Sequence, residues 1–128
     1  MIKECQKGIP QPISDYFKST EFDCHCKRKE CDITYIDTDL IDYLEEKRAM
    51  LSRPFLILSG FRCTAHNKEV GGKAGSQHLV GKAADIHFAV HNIIDYSDFF
   101  KDADGLGIYR KQKFLHVDVR GHRARWEG

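Results

Sequence analysis

Apolar positions recur along this chain in two registers, and the change between them outlines the fold. Over residues 40–51, Leu40, Ile41, Leu44 and Leu51 return at three- and four-residue spacing, with Lys47 and Arg48 in the same stripe. This is the period of an amphipathic helix; Thr38 is placed to cap its start, and Pro54 lies beyond its end. Phe55-Leu56-Ile57-Leu58-Ser59 is a continuous apolar run closed by Gly60, which predicts a buried strand. Thr64 can cap a short helix that runs to Val70 and stops at Gly71-Gly72. Further strands are predicted over 84–88, 105–109 and 114–120, with a helix over 92–101 and a turn over 110–113. Residues 1–20, which hold Pro10 and Pro12, read as an irregular arm, and residues 21–31 as a polar, cysteine-bearing loop. Helices mixed with an antiparallel sheet make an α+β fold.

Alternation within the strands separates packing from chemistry. In a strand every second side chain shares a face. His116, Asp118 and Arg120 therefore point one way, and Leu115, Val117 and Val119 the other. On the strand over 84–88, Asp85 and His87 share a face opposite Ile86 and Phe88. If the two strands pair, Asp85 and His116 converge, and His78 reaches in from a loop bearing Gly71, Gly72, Gly75 and Gly81. Those glycines suit either a plain turn-rich connection or a loop shaped to admit an extended peptide. Two histidines and an aspartate can supply three ligands to one zinc ion and leave the fourth position open for water, the arrangement of a catalytic site.

At 128 residues there is room for one domain, taken as 1–128. Basic and acidic residues nearly cancel, 20 against 19, which argues against a nucleic-acid partner. The basic runs Lys27-Arg28-Lys29 and His122-Arg123-Ala124-Arg125 read as solvated surface. No stretch approaches the ~20 apolar residues of a membrane span. The N-terminus lacks the apolar centre of a secretory signal, so synthesis in the cytoplasm is expected. Five cysteines argue against a fully paired disulfide framework. Cys24, Cys26 and Cys31, with His25 and Cys5 as further donors, are compatible with a second, structural zinc site. Their spacing lacks paired C-x-x-C knuckles, however, and a loop of reduced thiols is the expectation. Cys63 has no evident base partner and reads as a small buried residue. His66, His91 and His122 read as packed or surface residues, whereas His87 shares the face of Asp85.

The pattern Ser76-x-His78-x-x-Gly81-x-Ala83-x-Asp85, followed by His116-x-Asp118, resembles the zinc peptidases that act on bacterial cell-wall peptides. These are the D-alanyl-D-alanine carboxypeptidases and L-alanyl-D-glutamate endopeptidases, many of them encoded by bacteriophages, which share their fold with the hedgehog signalling domain. The likeness extends to Ser59-Gly60-Phe61-Arg62, residues 67–72 and 105–109, and Arg125-Trp126. It implies a hedgehog-like fold, one catalytic zinc held by His78, Asp85 and His116, and hydrolysis of the peptide stems or cross-links of peptidoglycan. Arg62 matches an arginine that faces the substrate, and Ser76 a serine that hydrogen-bonds it. Several members place a carboxylate three residues before the last histidine; Lys113 stands there in this chain, and Asp118 is the substitute, as base or as orienter of a ligand. Trp126 either packs over the strand face or helps bind substrate. The resemblance further implies a monomer that reaches the wall in phage lysis or as a virion component. The alternative is a non-catalytic binding module stabilised by metal, as hedgehog domains are.

Overall fold

In the computed structural model, residues 1–89 and 93–128 are described. Seven strands, β1 (Ile2–Gln6), β2 (Ile33–Asp37), β3 (Leu56–Ser59), β4 (Ala83–His87), β5 (Gly105–Tyr109), β6 (Phe114–Asp118) and β7 (Ala124–Glu127), combine with helices α1 (Thr38–Met50) and α2 (Thr64–Glu69). Short 3₁₀ helices occupy Ser19–Phe22, Gln77–Val80 and Ile93–Phe100. The main sheet has the order β3-β4-β6-β5-β7, and β1 pairs with β2 apart from it. The result is a small α+β domain of the hedgehog and DD-peptidase type.

One face of the main sheet carries the core. Ala84 and Ile86 of β4, Leu115 and Val117 of β6 and Leu106 of β5 are all buried there. Leu40, Ile41 and Leu44 of α1, together with Ile93 and Phe100, belong to the same core. Removing such side chains from water is the main favourable contribution to folding, at roughly 1.5–3 kcal/mol each. The polar residues between them necessarily face the other way.

Several expectations are corrected. The arm over 1–20 is not wholly irregular: β1 pairs antiparallel with β2, and Cys5 is buried beneath that ribbon. The sheet is mixed, because β7 joins β5 in parallel. Part of the basic tail is therefore structural, and the Arg125 guanidinium donates to the carbonyls of Lys101, Ala103 and Asp104. Within the run 55–59, Leu56–Ser59 form an edge strand with Leu56 and Leu58 exposed, and Phe55, just before it, is buried. Over 92–101 the described part is a 3₁₀ helix from Ile93, and His91 and Asn92 lie outside the described residues. Each α-helix is capped one residue earlier than expected. The Asp37 carboxylate accepts from the Asp39 N–H, and Cys63 Sγ accepts from the His66 N–H.

Two details tie the periphery to the centre. Gly81 closes the 3₁₀ helix that carries His78 at φ +73°, and a Cβ there would sit 2.4 Å from the Tyr35 carbonyl oxygen. Only glycine meets both demands, so the loop lies flat on β2, where the Gly81 carbonyl accepts from the Asp37 N–H at 2.8 Å. Lys47, in the apolar stripe of α1, is buried. Its ammonium donates to the Phe99 carbonyl at 2.9 Å and to Asp102 at 3.0 Å, and lies 4.6 Å from the Phe99 ring centroid. A buried cation with both partners in place joins α1 to the segment before β5. Lys47→Ala is expected to lower the unfolding free energy by about 1–3 kcal/mol through lost stem packing and the orphaned carbonyl. Exposed Glu46→Ala is expected to change it by less than about 0.5 kcal/mol. Urea titration of both variants checks this, and equal midpoints would contradict the role given to Lys47.

Candidate metal centre

The polar face of the sheet is organised by register. β4 and β6 pair antiparallel with Asp85 opposite His116 and Ala83 opposite Asp118. Directly opposed residues project from the same face with Cβ atoms ~5 Å apart. His78 comes from the 3₁₀ helix Gln77–Val80, where Ser76 Oγ caps the first turn by accepting the His78 N–H. His78, Asp85 and His116 are all buried.

The proton positions follow from the partners. His78 Nδ1 lies 2.7 Å from the Gly60 carbonyl oxygen, which can only accept. Nδ1 therefore carries the hydrogen, and the Nε2 lone pair faces Asp85 Oδ1 at 3.2 Å. His116 donates from Nε2 to Asp118 Oδ2 at 2.7 Å, which turns the Nδ1 lone pair toward the same Asp85 oxygen at 3.2 Å. Two nitrogen lone pairs and a carboxylate oxygen thus face one another with no hydrogen assigned between them. One donor atom from each residue lies within 4.8 Å of the other two. Tetrahedral zinc with nitrogen and oxygen bonds of about 2.0–2.1 Å needs ligand atoms about 3.3 Å apart. The two 3.2 Å separations match that edge, so this donor set fits one zinc ion.

Electrostatics agree with the geometry. Burial alone would raise the Asp85 carboxyl, but the His116 and His78 imidazoles, which donate to it when protonated, hold it well below the usual carboxylate range. Burial likewise opposes ionisation of Asp118, and His116 and Arg120 overcome it, again holding the carboxyl well below the ordinary range. His116 is raised above its ordinary value: burial works against the charged imidazole, but Asp118 and Asp85 outweigh it.

Asp118 is almost fully buried. Its Oδ1 accepts from the Arg120 backbone N–H and Nε, and its Oδ2 from Arg120 Nη2 and His116 Nε2. Space for this carboxylate comes from β5, where a Cβ on Gly105 would lie 2.1 Å from Asp118 Oδ2. Two residues on, Gly107 leaves room for the Trp126 indole, which donates to Tyr109 Oη at 2.8 Å and sits 4.9 Å from the His116 ring. Trp126 thus packs over the strand face, one of the two readings the sequence offered, whereas the clasp of Arg120 on Asp118 went unread in the sequence. The shared face of residues 116, 118 and 120 was the available signal for the clasp.

Arg62 stands at the other side of the centre. Its Nη2 donates to Asp85 Oδ2, Nη1 to Asn67 Oδ1 and Nε to Ser59 Oγ, each at 3.2 Å. A cleft of about 650 Å³ opens above, lined by Arg62, Ser76, the three donor residues, Arg120 and Trp126. Among the described residues, Lys113 and His87 do not line it; Lys113 occupies a turn at φ +62°, and His87 pairs with Leu56 on the edge strand. His66 packs against the His25 ring, and His122 is exposed. Cys24, Cys26 and Cys31 are joined by Cys63, half-buried, in a second group of metal-competent donors that includes neither His25 nor Cys5.

Two outcomes follow. Gly105→Ala is expected to displace Asp118, loosen His116 and weaken zinc affinity by about 10–100-fold, the usual cost of disturbing a partner that orients a metal ligand. Competition against a chromogenic chelator measures it, and wild-type affinity would contradict the packing argument. Zinc requires His116 unprotonated, so affinity should fall as pH drops through a His116 pKa above its ordinary 6.5. Calorimetric zinc titrations on both sides of neutrality test the sign; an affinity flat to roughly pH 6 would contradict it.

No curated protein matches the chain. The Peptidase M15 family model matches residues 15–118, a span that holds both histidines, Asp85, Arg62, Ser76 and Asp118 and leaves out β1 and β7. With that match over most of its length, and a buried His-Asp-His set of the right size for zinc, the chain belongs to the Peptidase M15 family of zinc D-Ala-D-Ala carboxypeptidases.

Proposed function

We propose that this zinc metallopeptidase hydrolyses a stem or cross-link peptide of peptidoglycan laid in the cleft over β4 and β6, with Arg62, Ser76 and Asp118 in separate roles. The observation that carries the reading is the convergence of His78 Nε2, Asp85 Oδ1 and His116 Nδ1 on one point at the floor of that cleft. Zinc held there supplies Lewis-acid polarisation of the scissile carbonyl and a water whose pKa falls toward ~7.

Asp118 acts through His116. A carboxylate offers about four lone-pair sites, and the two Arg120 side-chain nitrogens, the Arg120 backbone N–H and His116 Nε2 supply four donors. So engaged, it serves as a positioning residue: it fixes the His116 tautomer and keeps Nδ1 aimed at the centre. This reading favours the orienting role over that of general base. Arg62 uses one N–H of Nη2 on Asp85, which leaves guanidinium hydrogens toward the cleft for negative charge developing on the carbonyl oxygen, or for a substrate carboxylate. Ser76 Oγ accepts the His78 N–H, so its hydroxyl hydrogen is left to donate to a peptide carbonyl.

All these groups come from one chain, which supports a monomer as the working unit. The bacterial cell wall is the place of action, reached through phage lysis or as a virion component; the likeness to phage-borne wall peptidases supports this. Among the described residues no helix is long and apolar enough to cross a membrane.

Purified peptidoglycan incubated with zinc-loaded protein should release soluble fragments that mass spectrometry detects and that a chelator abolishes. No zinc-dependent fragment across several wall chemotypes would overturn the reading. Asp118→Asn separates the two roles considered for that residue: as an orienter its loss should weaken zinc affinity about 10–100-fold, with turnover largely recovered at saturating zinc. A loss of kcat with zinc binding unchanged would instead make it the base. Arg62→Lys should lower kcat/KM by about 10²–10³-fold while zinc stays bound, because a point charge replaces the fork.

A further inference from the structure

We propose that Cys24, Cys26, Cys31 and Cys63 form a second, structural zinc site that fixes the segment carrying Arg62. The first three belong to an irregular loop between Phe22 and β2, and the fourth immediately follows Arg62 and caps α2. Chain segments 39 residues apart are thereby brought together at Cys24 and Cys63.

The spacing of the sulfurs distinguishes a metal from a disulfide. All four lie within 4.8 Å of one another. Cys24 Sγ and Cys26 Sγ are each 3.8 Å from Cys63 Sγ. Zinc–sulfur bonds of about 2.3 Å at tetrahedral angles require sulfurs about 3.8 Å apart. A disulfide would require about 2.05 Å. Four sulfurs within 4.8 Å of one another, two of the pairs at that tetrahedral edge, make a closed Cys₄ set with no position left for water, which is a structural rather than a catalytic arrangement.

Backbone N–H groups and a cation face the sulfurs. The Cys63 backbone N–H points at Cys24 Sγ and the His66 N–H at Cys63 Sγ, both at 3.4 Å. The Lys7 ammonium lies 3.5 Å from Cys26 Sγ and 3.8 Å from Cys31 Sγ, and is held there by the Cys26 carbonyl at 2.8 Å. Four thiolates around Zn²⁺ leave a net charge of −2, which a neighbouring cation and inward N–H groups offset. Phe61 packs against the same group from the apolar side. The loop over 23–32 has no regular secondary structure, yet Cys24 and Cys31 are buried. An ion that cross-links this loop to Cys63 holds the start of α2, and with it Arg62, at a fixed height over Asp85.

Elemental analysis of protein produced with zinc should find two ions per chain. Cys26→Ser with Cys31→Ser should lower the count to one, and so should His78→Ala with His116→Ala. In the histidine double variant, Co²⁺ should give intense thiolate-to-metal charge-transfer absorption in the near ultraviolet. Exchange of backbone amides over 61–66 in that variant should accelerate when the remaining ion is stripped. The cobalt and exchange readouts need no cysteine variant to fold, and none of these measurements needs hydrolysis, so failure here is distinct from failure of the catalytic reading. A zinc count unchanged by the cysteine substitutions, no charge-transfer band in the histidine variant, or a disulfide among the four cysteines on peptide mapping would each overturn the site. Unchanged amide exchange would overturn the anchoring of Arg62.

Discussion

Pairing between β4 and β6 is the constraint on which the other features depend. The register that sets Asp85 against His116 also sets Ala83 against Asp118, Ala84 against Val117 and Ile86 against Leu115. A slip of one residue would turn every one of these side chains to the opposite face. Core and centre are thus fixed by one set of backbone hydrogen bonds, and burial of Ile86, Leu115 and Val117 holds the donor atoms in place. The metal centre has no folding problem of its own.

Buried polar groups are costly unless each finds a partner. On this face the partners form a chain: Arg120 holds Asp118, Asp118 holds His116, His116 and His78 face Asp85, and Arg62 takes the remaining Asp85 oxygen. His78 is tied back to the Gly60 carbonyl, next to the turn that carries Arg62. Each group thereby fixes the orientation of the next, which is what presetting a site requires. The small residues of β5 complete the arrangement passively, since Gly105 and Gly107 leave the volume that Asp118 and Trp126 fill. Away from this face, the cysteine group and Gly81 fix the two loops that deliver Arg62 and His78.

How much of this was legible in the sequence depended on whether the signal was local. The alternation over 114–120 separated core from centre correctly, and the resemblance of the motif over 76–85 to the zinc peptidases implied His78 and Asp85 as joint ligands. The elements missed, β1, β2 and β7, carry few inward apolar residues; in β1 only Cys5 is buried, so no period stands out. They become strands because a distant partner offers its edge, as β5 does for β7. The exposed edge strand over Leu56–Ser59 was misread as buried because composition alone does not distinguish a covered face from an open one. Cys63 could not be joined to Cys24, Cys26 and Cys31 by spacing, since only the tertiary fold brings it to them. The Arg120 donors that fill the lone pairs of Asp118 were likewise invisible, although the shared strand face was read.

The sheet presents its donor atoms before the ion arrives. A crystal structure of the zinc-loaded protein, with anomalous scattering at the zinc edge, tests it most directly. Alongside the peak at the four cysteines, an anomalous peak bonded to His78 Nε2, Asp85 and His116 Nδ1 is expected, with the Asp85–His116 register and the His116–Asp118 hydrogen bond unchanged. An ion bound instead through His116 Nε2, or a register that shifts when zinc enters, would contradict it.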